Sequence, residues 1–278
     1  MMRAAVLGSP IEHSLSPVLH TAAYTALGLD DGWHYERFEC DEGGLARFLE
    51  GCDASWAGLS LTMPLKRVAM ALSDELAEPV TSVGGANTIV FAEGRRYAYN
   101  TDVAGIVSAL REVGIARVDS AAVVGGGATA ASALEALRVL GATEPGAVTV
   151  LAREPARADP VTEAAARMGL RIGVEPLREI GSHLDVDLVV STVPRGAADD
   201  YTAELVASRA ALFDVSYGPK PSVPVAAVAA AGRRAVGGFP MLLHQAGRQV
   251  ELMTGVARAP IEAMRAAGEA ELARRATT

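Results

Sequence analysis

Residues 121–130 read AAVVGGGATA, and the fold turns on this stretch. A short apolar run ends in three glycines, and an alanine-rich helical pattern follows. A strand–turn–helix that receives a dinucleotide has this form. Gly125 permits the tight turn. Gly127 has no Cβ, so backbone N–H groups can approach a pyrophosphate. Ala130 stands where a third glycine is usual and still allows close helix–strand packing. The anion would rest on the helix N-terminus, where unpaired N–H groups and the dipole favour negative charge. A glycine turn alone also suits an ordinary α/β domain. The context favours the nucleotide reading, with a strand before, a helix after and another strand about 25 residues on.

Downstream, Ala147–Leu151 is the second strand of the unit, and 152–157 reads AREPAR. At this strand end an acidic residue selects NAD and an arginine accepts the extra phosphate of NADP. Arg153 points to NADP, with Arg157 as support, while Glu154 would repel a phosphate. Val186–Ser191 and Ala210–Val215 are buried parallel strands, ending at STVP (191–194) and at Asp214–Tyr217. Strands alternating with helices over 103–236 predict a doubly wound parallel sheet. Gly237–Gly238 leads into a helix, Met241–Leu252, and a second amphipathic helix closes the chain.

Upstream, Arg3–Leu7 reads as a buried strand. It runs into GSPIEHSLSP (8–17), with Ser16 as N-cap and Pro17 at the first helical position. By themselves Ser14 and Ser16 read as turn and cap chemistry. Strands follow at Trp33–Phe38 and Trp56–Leu61, with a short helix at Asp41–Gly51 between them. In GLSLTMPLK (58–66), Pro64 suits the first turn of a helix carrying Leu65, Val68, Ala69 and Leu72. That places Lys66 where a cation opposes the helix dipole; a solvated surface lysine is the usual reading, and the alternative is a lysine whose charge is balanced by a carboxylate or a substrate oxygen. Thr88–Phe91 and Arg95–Tyr99 flank a hairpin turn at Glu93–Gly94. Asp102 sits at the start of a helix with Val103, Ile106, Val107 and Leu110. No flexible linker marks the boundary near Asp102, so a stiff helical connection and a shared cleft are expected.

With 278 residues the chain can hold two ordinary domains. The formal charge of −8 argues against nonspecific nucleic-acid binding. No apolar run approaches the roughly 18 residues of a membrane helix, and the four-residue apolar stretch near the N-terminus is too short for a signal peptide. Cys40 and Cys52 form no CxxC pair and read as reduced thiols of a cytoplasmic protein. The five histidines lack zinc-ligand spacing, so no metal is expected.

Taken in order, these segments resemble the shikimate dehydrogenase family over nearly the whole chain. GSPIEHSLSP is similar to its carboxylate-binding motif, which implies that Ser14 and Ser16 hold the substrate carboxylate. GLSLTMPLK is similar to its lysine motif, although Asn is usual at Ser60. That motif implies Thr62 on the substrate and Lys66 as the catalytic lysine. GANT (85–88) implies Asn87 on a substrate hydroxyl, and NTD with Gly105 implies Asp102 as the partner of Lys66. The glycine loop implies Gly125, Gly126, Gly127 and Ala128 on the cofactor. Arg153 matches the arginine of an Asn-Arg-Thr motif, here flanked by Ala152 and Glu154. STVP places Thr192 at the cofactor, and DVSYGPKP (214–221) places Tyr217 near the carboxylate. That loop carries one extra residue before Pro224. GFPMLLHQA (238–246) implies Gly238 and Met241 near the nicotinamide and Gln245 on the substrate. Met253 stands where Trp is usual, a packing change.

The resemblance implies an α/β fold of two domains. An N-terminal α/β substrate domain would span 1–102, completed by the helices of 239–278. A Rossmann-type NADP-binding domain would span 103–238. It also implies reversible reduction of 3-dehydroshikimate to shikimate in aromatic amino acid biosynthesis, by a monomer or homodimer. Two rival readings stand beside this one: a quinate/shikimate dehydrogenase preferring NAD, and a catalytically silent relative that senses shikimate.

Overall fold

The computed structural model describes residues 1–277; the side chain of Arg157 also lies outside the described part. Contacts divide the chain into one unit of Met1–Asp102 with Leu243–Thr278 and another of Val103–Leu242. Each is organised on a six-stranded sheet.

In the first unit the strands are β1 (Met2–Gly8), β2 (Trp33–Glu39), β3 (Trp56–Leu61), β4 (Glu75–Leu76), β5 (Thr88–Ala92) and β6 (Arg95–Tyr99). Their order is β2-β1-β3-β5-β6-β4. β2, β1 and β3 are parallel, whereas β5 runs antiparallel to both β3 and β6. The β5–β6 hairpin turns on Glu93 and Gly94, with φ of 53° and 72°, as a two-residue primed turn requires. Helices α1 (Ser16–Ala26), α2 (Glu42–Glu50), α3 (Val68–Ala71) and α4 (Val80–Val83) connect the strands. β3 is buried along its whole length, which explains why Ser60 is its single polar residue. Gly58 on it is a steric necessity: a Cβ there would lie 2.7 Å from the Ile89 carbonyl and 2.8 Å from Met253 Cγ. Met253 is buried with Ala4, Val6, Tyr24 and Tyr35 in the core of this unit.

The second unit begins within α5 (Asp102–Glu112). It carries β7 (Ala121–Val124), α6 (Ala128–Leu140), β8 (Val148–Ala152), α7 (Asp159–Arg167) and β9 (Gly173–Pro176). Then come β10 (Leu188–Ser191), α8 (Thr202–Ala207), β11 (Ala211–Asp214), α9 (Val223–Ala230) and β12 (Ala235–Val236). The order is β12-β11-β10-β7-β8-β9, all parallel. Numbered within the unit, this is the 3-2-1-4-5-6 order of a dinucleotide-binding sheet, reversing direction between β7 and β10. Helix α10 (Phe239–Thr254) begins in this unit and ends in the first, and α11 (Ile261–Ala276) closes the chain.

Three local expectations are corrected. Helix α1 has Leu15 rather than Ser16 as its N-cap, because Ser14 Oγ accepts the Ser16 N–H at 3.2 Å and draws Ser16 into the helix. Residues 63–67 form a turn, and α3 starts only at Val68. A helix through Lys66 would spend its carbonyl on the Met70 N–H. Instead Ala86 N–H takes that carbonyl at 2.8 Å, and Met70 N–H bonds Arg67. Helix α11 buries only Met264 and Gly268 and so lacks the broad apolar face expected of it.

Among the described residues no helix is long and apolar enough to cross a membrane, and no group of three or more His, Cys, Asp or Glu could hold a metal ion.

Candidate active site

The turn after β3 presents Lys66. Thr62 N–H donates to Leu7 on the neighbouring strand, Thr62 carbonyl accepts from Leu65, and the Lys66 carbonyl is held by Ala86. The turn is therefore pinned on both sides. Lys66 Nζ donates to Asp102 Oδ2 at 2.6 Å, with the two side chains 14% and 2% exposed. Charge balance for Lys66 comes from this carboxylate; the lysine stands before α3 rather than in its first turn.

Asp102 is a buried anion with three sources of support. Lys66 bonds one oxygen, Asn87 Nδ2 donates to the other at 2.9 Å, and the carboxylate lies in the first turn of α5. The helix dipole favours negative charge there. A buried carboxylate is tolerable only when paired and hydrogen-bonded in this way.

Asn87 links the cluster together. Its Oδ1 accepts the Thr101 backbone N–H at 2.8 Å, which fixes that atom as the acceptor. Its Nδ2 therefore faces Asp102, Thr101 Oγ1 at 2.9 Å and Gln245 Oε1 at 3.1 Å. With Oε1 engaged by Asn87, the Gln245 amide NH2 is left to donate to other groups. Lys66, Asn87, Asp102 and Gln245 thus meet, although they lie far apart in sequence.

Ser14 and Ser16 are buried at the start of α1, 7% and 6% exposed. Ser14 Oγ accepts from Ser16 N–H, which leaves the Ser14 hydroxyl proton to donate. The segment before them is held from several sides. Ile11 N–H donates to Glu39 Oε2 at 3.1 Å, Arg37 donates to the Glu12 carbonyl, and Arg275 of α11 donates to the His13 carbonyl, both at 2.7 Å. Thr62 packs close to this segment: a Cβ on Gly8 would lie 2.3 Å from Thr62 Cγ2.

In the second unit the glycine turn follows β7. Gly125 has φ of 114°, and a Cβ there would lie 2.4 Å from Thr192 Oγ1. Only glycine fits. Thr192 bonds the Val124 carbonyl through its backbone N–H at 2.8 Å and its hydroxyl at 2.9 Å. It is thereby fixed at the end of β10, across the sheet's reversal point. Gly127 is the N-cap of α6, with no side-chain cap, and a Cβ there would meet open space. Gly127 and Ala128 are exposed, while Ala130 is fully buried. The first N–H groups of α6 are thus presented without a side-chain competitor, as a phosphate-binding turn needs.

Arg153 and Glu154 directly follow β8 and are both exposed; the side chain of Arg157 lies outside the described residues. Gly238 is buried against backbone: a Cβ would sit 2.0 Å from the Val215 carbonyl oxygen. Met241 is buried one turn further on. Tyr217 is half-buried in the loop after β11. Asp214 braces this loop by accepting Ser216 N–H at 3.0 Å and Ser222 Oγ–H at 2.6 Å.

Sequence reasoning missed the residues that hold the cluster from behind. Thr101, Thr88, Ser60, Tyr35 and Gln249 are all buried and hydrogen-bonded to one another or to Asn87. One signal was available: Gln249 follows Gln245 by one helical turn, on a face otherwise made of Leu242, Leu243, Ala246, Val250 and Met253.

Residues 6–89 match the shikimate dehydrogenase substrate binding domain, and residues 238–267 match the shikimate 5′-dehydrogenase C-terminal domain. The chain is 33% identical over 277 residues to a shikimate dehydrogenase (NADP(+)) of Thermus thermophilus, covering 99% of each chain. Among solved structures it is similar to Mycobacterium tuberculosis shikimate dehydrogenase, with a TM-score of 0.88 and 40% identity over 97% of this chain and 100% of that one. It is also similar to the Thermus thermophilus enzyme solved in complex with NADP(H) and shikimate, with a TM-score of 0.82 and 29% identity over 97% and 99% of the two chains.

Proposed function

The chain belongs to the shikimate dehydrogenase family, and from that premise we propose that it catalyses the NADP-dependent, reversible reduction of 3-dehydroshikimate to shikimate. The observation that carries this reading is the 2.6 Å Lys66–Asp102 pair, with Asn87 and Gln245 bonded beside it. A ketone reduction needs a group that stabilises negative charge on the carbonyl oxygen and then supplies a proton. A largely buried ammonium held by a carboxylate does both.

Bound NADPH supplies the hydride. Lys66 Nζ donates to the carbonyl oxygen, stabilises its charge as the C–H bond forms, and delivers the proton. In the oxidative direction it takes the hydroxyl proton. Asp102 holds Lys66 in place and accepts a hydrogen bond from the adjacent substrate hydroxyl. Asn87, Thr62 and Gln245 hold the other hydroxyls, and Ser14 and Ser16 donate to the carboxylate. A polyhydroxylated acid matched donor for acceptor in this way is distinguished from an analogue lacking one hydroxyl by several kcal/mol.

The uncapped start of α6 after the tight turn at Gly125 suits a pyrophosphate, since no side chain competes for its first N–H groups. Arg153, exposed at the end of β8, would meet the 2′-phosphate. Cys40 and Cys52 are free thiols, in keeping with a cytoplasmic enzyme.

The test is oxidation of shikimate by the purified protein with NADP⁺ or NAD⁺, followed by the appearance of reduced nicotinamide. Turnover with NADP⁺ well above that with NAD⁺ is expected. Equal or better turnover with NAD⁺ overturns the cofactor assignment. A folded protein that binds shikimate and turns over with neither overturns the reaction.

A further inference from the structure

Behind Asn87 runs a chain of buried hydrogen bonds whose direction can be worked out from two groups that cannot change roles. The Thr101 backbone N–H can only donate, so Asn87 Oδ1 is an acceptor. The Asn87 backbone carbonyl can only accept, so the Gln249 atom facing it at 3.4 Å is Nε2. The remaining bonds then follow. Gln249 Nε2 donates to Thr88 Oγ1 at 3.0 Å, and the Thr88 hydroxyl therefore donates onward to Asn87 Oδ1 at 3.0 Å. Gln249 Oε1 accepts from Ser60 Oγ at 2.9 Å, and Ser60 accepts from the Tyr35 hydroxyl at 2.7 Å. Every donor points the same way, from Tyr35 through Ser60, Gln249, Thr88 and Asn87 to the Asp102 carboxylate. Bonds aligned in this manner polarise one another and so strengthen together.

Gln249 is 3% exposed, Thr88 is fully buried, and Ser60 is 3% exposed. None of these three is bonded to Lys66, and all lie behind Asn87.

We propose that Gln249 is a positioning residue for the reaction, holding the Asn87 amide, through Thr88, in the orientation that serves Asp102 and Gln245. The proposal rests on the reading of Lys66 and Asp102 as the reacting pair. It predicts an effect confined to the substrate side. Thr101 N–H also orients Asn87 Oδ1, so loss of one rung loosens the amide without freeing it. The expected effect is therefore moderate.

The decisive experiment compares wild type, Thr88→Val, Thr88→Ser, Gln249→Met and the Thr88→Val/Gln249→Met double variant in steady-state kinetics, with thermal melts alongside. Thr88→Val keeps the shape and strand preference of threonine but removes the hydroxyl. It should lower kcat/KM for shikimate about tenfold, equivalent to ~1.4 kcal/mol, with the KM for NADP⁺ unchanged. Thr88→Ser restores the hydroxyl and should recover most of the loss. Gln249→Met should resemble Thr88→Val, and the double variant should lose little more than either single one, since both break the same chain. Folded Thr88→Val and Gln249→Met proteins with wild-type shikimate kinetics, whatever their melting points, would overturn the proposal. So would a loss shared equally by shikimate and NADP⁺. Should Gln249→Met not fold, the Thr88→Val and Thr88→Ser pair decides. A wild-type protein inactive on shikimate refutes the reaction itself, a separate outcome visible in the same series.

Discussion

The two units carry candidate sites made of different materials. In Val103–Leu242 the site is backbone: a glycine at φ 114°, a helix start with no side-chain cap, and a threonine pinned to the neighbouring strand end. In the unit containing the lysine the site is side chains, brought together from the turn after β3, the start of α5, the end of the 84–87 segment and α10. A backbone site recognises a phosphate by dipoles any sequence can offer, provided nothing projects into it. A side-chain site recognises one particular molecule and needs each polar atom aimed. The first is therefore sensitive to added atoms, and the second to removed ones.

The most severe way to break the side-chain site is Lys66→Ala. It removes the proposed proton donor and leaves Asp102 buried and short of a partner. Turnover of shikimate should fall by roughly 10²–10⁴-fold, while NADP⁺ binding by the separate backbone site stays as it was. Steady-state kinetics and calorimetric titration of NADP⁺ check both halves. Near-normal turnover would remove Lys66 from the mechanism.

The matching change for the backbone site adds a single carbon. In Gly125→Ala the new Cβ would stand 2.4 Å from Thr192 Oγ1, at a φ that side chains rarely adopt. Strain at such a position costs about 1–3 kcal/mol. The affinity for NADP⁺ should drop by about 10–100-fold, reading that strain as lost binding. Shikimate affinity in the absence of cofactor should not move. If shikimate binding weakens as much as NADP⁺ binding, the two sites are not independent in the way their construction implies.

The same contrast explains what could be read from sequence. The backbone site is local. Ala121–Ala130 contains its strand, turn and helix start, and the alternation downstream is enough for a parallel doubly wound sheet. Strands such as Trp56–Leu61 and Arg95–Tyr99 are legible to the residue, since their apolar and aromatic runs are bounded by turn residues. The side-chain site is not local. Each motif around Ser14, Lys66, Asn87, Asp102 and Gln245 admits a bland reading alone, and only their order suggested a common purpose through the family resemblance. The ladder behind them was largely hidden: Gln249 on an otherwise apolar helix face was its one sequence signal, and Ser60 and Thr88 join it only when strand pairing and α10 bring them together. The misread helix at Lys66 has a similar origin. Leu65, Val68, Ala69 and Leu72 have helical spacing, but a long-range bond from Ala86 takes the Lys66 carbonyl that a helix would use.

A gentler change sharpens the comparison from behind the side-chain site. His20 is fully buried, stacks on Tyr35 with centroids 3.9 Å apart, and approaches Gln249 Oε1 through Nε2 at 3.4 Å. Burial lowers its pKa from 6.5 to about 3, so the folded protein holds it neutral. The unfolded chain binds the proton first as pH falls. The stability this neutral form preserves is complete above about 6.5 and is lost progressively from there towards 3. Between about pH 7.5 and about pH 5 the loss should approach ~2 kcal/mol. Urea unfolding of wild type and His20→Gln at the two pH values measures it: the difference in stability between the two proteins should change by that amount. Parallel acid profiles for the two proteins would show that His20 does not stay neutral in the fold. No comparable acid sensitivity is expected from the glycine turn, which uses no titratable side chain.

The smallest effect is expected at the rim of the backbone site, where the two kinds of recognition meet. On the proposed reading Gly125–Ala128 would cradle the pyrophosphate of either nicotinamide dinucleotide, so discrimination would fall to the residues after β8. Arg153 is exposed there, with Glu154 beside it. An arginine on a phosphate makes a strong, forked, charge-assisted bond, but an exposed one is weakened by water and salt. The adjacent carboxylate subtracts further from the attraction. Arg153→Ala should therefore reduce the preference for NADP⁺ over NAD⁺ by about tenfold, or ~1.4 kcal/mol, mainly by raising the KM for NADP⁺ and leaving NAD⁺ kinetics alone. Glu154→Gln should act in the opposite direction and favour NADP⁺. Added salt should shrink both effects, since screening acts on exposed charge and not on the glycine turn. If Arg153→Ala lowers use of NADP⁺ and NAD⁺ alike, Arg153 supports the turn instead of reading the phosphate, and the side-chain contribution to the nucleotide site must be sought elsewhere on the loop.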